Sequence, residues 1–228
     1  MTSLEFEQIE IELKIKDLFE DLSIRRKNVQ LKQTHQKKFE TWTEQLKTIL
    51  NQIKKIDEVV VPAIKKDLGN SFSNRNLILT ALVQPSVKKL FTEIKTHFKN
   101  DPEFVVSPKD LSLLESCSDF AKSLAWIGDT TIKYALLMKM WHPGIQPVEL
   151  HKKRQALENN KNLSKLCDEW KLFDCRIHFD PPVPKQATID KIKGTLVEAI
   201  YGVIFIEREI GGMQKVLHLI DSTKKDLK

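Results

Sequence analysis

The chain has 228 residues, enough for one domain with an appendage and for a real core. Its net charge of +6 suits an anionic partner such as nucleic acid, but the excess is spread along the sequence and excludes nothing by itself. Three cysteines without a CxxC, and six histidines without ligand spacing to them, argue against a disulfide scaffold and a zinc site.

Seven glycines, a single one of them before position 128, together with abundant Leu, Ile, Lys and Glu, point to an all-α protein. The first 16 residues interleave acids with apolar positions, so no signal peptide is expected, and no later apolar run approaches the roughly 20 residues needed to span a bilayer. A soluble, reducing, cytoplasmic setting is the expectation.

From Leu4 to Val29 apolar residues recur at Leu4, Ile11, Ile15, Leu18, Leu22 and Val29, a heptad-like seam. The alternation Ile9, Ile11, Leu13, Ile15 also fits a strand, but no turn residue separates it from the flanking pattern, so helix is preferred. A second seam, Phe39, Trp42, Leu46, Ile49, Ile53 and Ile56, steps by three and four and does not continue the phase of the first. The break between them, Ser23 to Lys38, predicts a helical hairpin ending near Leu68-Gly69-Asn70. That segment carries Arg25, Arg26, Lys27, Lys32, Lys37 and Lys38 without an acid. It reads either as a solvated face or as a contact for an RNA backbone.

Beyond the hairpin, Asn74 or Asn76 is placed to cap a helix over Leu77 to Val83, which Gln84-Pro85-Ser86 ends or kinks. Val87 to Asn100 is amphipathic, and Asp101 to Pro108 is loop. Asp110 to Met140 is predicted to be the buried central helix, closed by His142-Pro143-Gly144. Glu149 to Trp170 is one long helix or a pair, and Asp180-Pro181-Pro182-Val183-Pro184 is rigid loop. Thr188 to Ile206 is a second apolar helix, and Gly211-Gly212 leads into a last one over Met213 to Thr223.

Two places depart from generic helical sequence. In Leu124-Ala125-Trp126-Ile127-Gly128-Asp129 a glycine sits inside an apolar helix, at a cost of roughly 1 kcal/mol against Ala. Such a glycine lets another helix approach while Asp129 projects from the same turn. In Lys193 to Gly202, Glu198 is a lone acid in an apolar run bounded by glycines. The rest of the chain is expected to bring Asp129 and Glu198 together. Read as structure alone, Glu198 is an acid buried against Lys191 or Lys193, and Asp129 a packing acid paired with Lys133.

The ordered blocks FSNRNLILTALVQPS, SLAWIGDTTIKYAL, PVELHKKRQALENNKNLSKL and KGTLVEAIYGVIFIEREIGG resemble the ribonuclease III catalytic domain over roughly Ser71 to Ile220. The resemblance implies a ribonuclease III-type helical endonuclease domain over 69–228, preceded by the hairpin over 1–68. In that family four carboxylates hold Mg²⁺ for phosphodiester cleavage. Asp129 and Glu198 match two of them, as catalytic and metal-binding acids. Ala125 and Thr195 stand in place of the other two, and Lys122 replaces a residue that is usually acidic.

The reduced set is similar to that of the Mini-III branch, which shares Leu-Ala-aromatic-Ile-Gly-Asp, Thr-x-x-Glu and a segment like Leu150-His151-Lys152-Lys153. Mg²⁺, or Mn²⁺ in its place, keeps several waters and needs only one or two protein carboxylates when substrate phosphate supplies others, with Thr195 acting through a water. By the same resemblance Glu149 supports the site from outside, and Trp126 enters a pocket on a dimer partner.

No C-terminal double-stranded RNA-binding domain is expected in this chain. Affinity for an RNA duplex is therefore assigned to Lys122, Lys152, Lys153 and Arg154 and to Arg25, Arg26 and Lys27, with weak sequence specificity and steep salt dependence. The expected function is that of a homodimeric, metal-dependent endoribonuclease acting on double-stranded or structured RNA. The alternatives are an inactive ribonuclease III fold serving as an RNA-binding scaffold within a ribonucleoprotein, and one half of a heterodimer assembled through the hairpin.

Overall fold

In a computed structural model that describes residues 10–27, 33–69, 74–182 and 185–220, both N-terminal seams are helical. Helix α1 spans Ile11–Arg26 and buries Ile11, Ile15, Leu18 and Leu22. Helix α2 spans Gln33–Lys55 and runs through a π turn, Ile56–Val60, into α3, Val61–Leu68. All six residues of the second seam are buried. Leu4, Val29 and Lys32, with the turn of the hairpin, lie outside the described residues. Gly69 closes α3 at a φ of +79°, a conformation an L side chain rarely adopts.

The hairpin does not stand clear of the helices after it. One apolar cluster runs from Ile11 to Ile220, and polar contacts reinforce the join. Arg75 donates to both Glu12 and Asp57. The indole of Trp42 donates to Glu93 at 3.0 Å, and that of Trp170 to Asp67 at 2.8 Å. Buried indole N–H groups need such acceptors, and here each acceptor comes from the other part of the chain.

Helix α4, Arg75–Ala81, starts where the Asn74 side chain accepts from Leu77 N at 3.1 Å. A 3₁₀ turn, Pro85–Val87, leads into α5, Lys88–His97. Helix α6, Pro108–Met140, begins with Pro in its first turn, where its missing N–H costs nothing, and with Ser107 Oγ accepting from Asp110 N. The expected pair between Glu149 and Trp170 is α7, Pro147–Glu158, and α8, Asn160–Glu169, divided at Asn159, whose side chain caps α8. A short α9, Leu172–Cys175, precedes a lone parallel bridge between Val83 and Ile177.

Helix α10, Gln186–Val216, is the second long apolar helix, and its pairing with α6 is the most extensive in the fold. It breaks at Glu209, which has φ 53° and ψ −160°, rather than at Gly211-Gly212. Tertiary anchors set the position. Glu207 accepts from Asn74 N at 2.6 Å and Arg208 donates to the Leu68 carbonyl at 3.1 Å, fixing the chain just before the break. Gly212 then passes so close to the Arg208 side chain that a Cβ there would collide with it.

Glu209 therefore carries strain in a region that is essentially reserved for glycine. Glu209→Gly is expected to stabilise the protein by about 1 kcal/mol, the relieved strain exceeding the added chain entropy of glycine. A urea midpoint that falls below wild type would contradict this geometry.

Candidate active site

The site is built on the crossing of α6 and α10. Gly128 in α6 lies against the backbone of α10, where a Cβ would land on the carbonyl oxygen of Glu198 and 2.7 Å from the amide nitrogen of Gly202. The contact is reciprocal, since a Cβ on Gly202 would run into the carbonyl of Leu124. Two glycines thus let two helix backbones touch, and the acids next to that contact, Asp129 and Glu198, are set side by side. This is the juxtaposition that the glycine-beside-acid pattern predicts.

The two acids differ in environment. Asp129 is partly exposed and its Oδ2 accepts from Lys133 Nζ at 2.6 Å, one turn along α6. Glu198 is more deeply placed, and burial first, then the negative charge of Asp129, pushes its carboxyl up to about 7, opposed by Lys133 and reinforced by Glu158. A carboxyl pushed toward neutrality by burial and a neighbouring acid is a candidate functional group on physical grounds. Lys193, considered as a partner for Glu198, instead pairs with Asp168 at 2.6 Å.

The other expected participants are spread more widely. Thr195 is exposed one turn before Glu198. Ala125 is packed in the core at 5% exposure, where a longer acid would have to displace apolar neighbours. Glu149 is exposed in the first turn of α7, held well below its usual range by Lys153, and does not reach the pair. The acid of α7 whose charge is felt at Glu198 is instead Glu158, at the far end of the same helix, which sequence reasoning did not single out. The spacing of Arg154 and Glu158 signals only an i,i+4 ion pair, the usual mark of a solvated helix face.

Of the basic residues, Lys122 is exposed and pairs with Asp119, and Lys152 and Lys153 are exposed on α7. Arg154 is turned inward toward Glu158. In the hairpin Arg26 pairs with Glu40 at 2.6 Å and Lys27 is exposed. Arg25 is folded in. It donates to Asp21 at 2.7 Å and to Asp101 at 2.6 Å, and its guanidinium lies over Phe98 and Phe104.

Trp126 is 75% exposed, and Tyr134, Met138 and Trp141 are more than half exposed. Helical spacing places Trp126, Tyr134 and Met138 on the side of α6 turned away from α10, and Trp141 follows directly after the last helical residue. Apolar surface gathered this way marks an interaction face. Among the described residues no helix is long and apolar enough to cross a membrane.

Comparison with known proteins supports the reading drawn from this geometry. Residues 122–209 match the family described as the ribonuclease III domain, a stretch that contains both acids and ends at the break in α10. No curated protein and no solved structure matches the chain. Over the helices that carry Asp129 and Glu198, the chain is similar to the ribonuclease III domain family.

Proposed function

We propose that the chain is a divalent-metal-dependent endoribonuclease that hydrolyses phosphodiester bonds in double-stranded RNA, with Asp129 and Glu198 as its essential acids. The observation that carries this reading is the glycine-mediated crossing, which places Asp129 beside a Glu198 whose carboxyl is pushed up to about 7. Nothing in the packing of an apolar helix requires two acids there, and burying them costs free energy.

The residues present suit a hard divalent cation. Asp129 and Glu198 offer hard carboxylate oxygens, and Oε2 of Glu158 is enclosed without a hydrogen-bond partner. Among the described residues no three acids, histidines or cysteines are close enough to enclose an ion as they stand. Lys133 and Arg154 lie against two of the acids in this arrangement. A bound Mg²⁺ or Mn²⁺ would supply a water of lowered pKa and stabilise charge on the leaving oxygen.

The chain's own part is to orient and to neutralise. Asp129 is fixed by its bond to Lys133, whose ammonium is also placed to meet a phosphate oxygen. Glu198 offers an oxygen that both binds and releases a proton near neutral pH. Lys122, Lys152 and Lys153 give the exposed positive charge for the RNA backbone, and Trp126, Tyr134, Met138 and Trp141 the face on which a second copy docks. One favourable observation belongs to the other reading, a duplex-binding scaffold that does not cut. Ala125 is sealed into the core, so the family's first acid is absent without a direct substitute on α6.

Incubating the purified protein with a labelled RNA duplex and Mg²⁺ or Mn²⁺ separates the two. Cleavage by the wild type should fall in Asp129→Asn and in Glu198→Gln by at least the about 100-fold that changes outside a metal's direct ligands already cause. Duplex binding without cleavage, unchanged in both variants, would establish the scaffold.

A further inference from the structure

Arg176 directly follows α9 and is only 7% exposed, although arginine is seldom buried unless an acid pairs with it. Its backbone is pinned from two directions. Gln52 of α2 donates to the Arg176 carbonyl at 3.2 Å, and the amide of the next residue, Ile177, donates to the Leu82 carbonyl at 2.9 Å. The side chain is held as well. Nη1 donates to the Phe173 carbonyl, and Cζ lies 3.6 Å from the centroid of the Phe173 ring.

These contacts fix the cation without neutralising it. Among the described residues no carboxylate forms an ion pair with Arg176. Burial draws its pKa below the ordinary value against the more distant pull of Asp180 and Asp174. Both aspartates are exposed, and Asp180 stands 3.7 Å from His178 Nδ1 instead. Taking a cation out of water with no anion to meet it is unfavourable, so such a group is expected to have a ligand.

The unused donors say which kind. Nε and Nη2 meet no acceptor among the described residues, yet neither is closed off from solvent. They share one edge of the planar guanidinium, the fork that gives two parallel hydrogen bonds to the oxygens of a phosphate or carboxylate. A second cation approaches the same ring. Lys193 Nζ lies 5.5 Å from the Phe173 centroid and 2.6 Å from Asp168 Oδ1.

We propose that Arg176 anchors a phosphate-binding site where α9 meets α10, with Nε and Nη2 donating to two phosphate oxygens and Lys193 supplying a second positive charge. Phosphate suits the pair better than carboxylate does, because it carries more negative charge and has oxygens to spare beyond those that the fork engages. Water and salt screen the exposed aspartates, whereas a ligand seated on the buried fork is screened far less. The backbone bonds on both sides of Arg176 hold the fork in place before the ligand arrives, which lowers the cost of binding. The phosphate is a free ion or one of an RNA backbone. The site itself does not depend on the nuclease reading.

Two probes distinguish the sources. Inorganic phosphate is titrated calorimetrically into the full chain, and affinity for a labelled RNA duplex is measured over a range of NaCl concentrations. Arg176→Gln should weaken the ligand that uses the fork by about 10- to 100-fold, the scale of hydrogen bonds from a charged donor. A loss with inorganic phosphate alone assigns the site to the free ion. A loss with the duplex, together with a salt slope lower by about one, assigns it to an RNA phosphate.

No change from wild type with either probe overturns the proposal. A wild type that binds phosphate but not the duplex sinks the nuclease reading and leaves the site standing. If Arg176→Gln does not fold, Arg176→Lys decides. Lysine keeps the charge and loses the fork, so the same loss should remain in weaker form, and wild-type affinity for both probes would overturn the site.

Discussion

Gly128→Ala is expected to cost more than about 4 kcal/mol, a size reached only when a substitution strikes a specific structural device. The added methyl would occupy the position of the Glu198 carbonyl oxygen and sit 2.7 Å from the backbone nitrogen of Gly202. Both obstacles are backbone in the middle of a long helix, so no rotamer change relieves the clash. The two helices must separate, and they form the most extensive pairing in the molecule.

Gly211→Ala makes the internal control. A Cβ there meets nothing within 4 Å, and Ala is favoured over Gly in a helix by roughly 1 kcal/mol. That variant should be as stable as wild type or slightly more so. Urea denaturation of both checks the contrast. A Gly128→Ala protein within about 1 kcal/mol of wild type would mean that the backbones do not touch and that the site is not preset by the crossing.

That crossing was legible in the sequence because glycine in an apolar helix has a cost that local structure does not repay. Asp129 and Glu198 were legible for the same reason, being lone acids at those places. Glu158 was not. In sequence it is one acid in a polar amphipathic stretch, four residues from an arginine, and only the path of α7 over α6 and α8 turns that face inward.

Arg25 was hidden in the same way. Its neighbours Arg26 and Lys27 make it look like part of a basic strip, yet Asp101, Phe98 and Phe104 reach it from a loop more than seventy residues away. Glu209 shows the limit of local propensity. The Gly211-Gly212 pair is the natural breaking point by composition, but anchors at Glu207 and Arg208 put the left-handed residue at a glutamate. Trp126 sits within the most apolar run of the central helix, and its exposure follows from the direction in which α10 packs, which that run does not encode.

Glu198→Gln should make the protein more stable while removing its proposed activity, and the gain should depend on pH. In the unfolded chain the carboxyl releases its proton near 4.5, but in the folded chain near 7. Between these values the native state holds a proton that the unfolded state has lost. Stability contributed at this position therefore falls as pH rises from 4.5 through 7, and above 7 the ionised, buried carboxylate bears the full penalty. The shift corresponds to about 2–3 kcal/mol, taken as an order of magnitude for a group that retains some solvent contact. Glutamine has the same shape without the charge. Its variant should exceed wild type by about 2 kcal/mol at pH 8.5 and lose that advantage toward pH 5. Urea midpoints at the two pH values, in chelator, measure it. A variant less stable than wild type at pH 8.5 would mean that Glu198 is stabilised in place by its surroundings, as a structural acid is. A gain at high pH that disappears at low pH means that the fold tolerates an unfavourable charge at the helix crossing. That is the expected state of a carboxylate whose partner is a cation that the protein must bind.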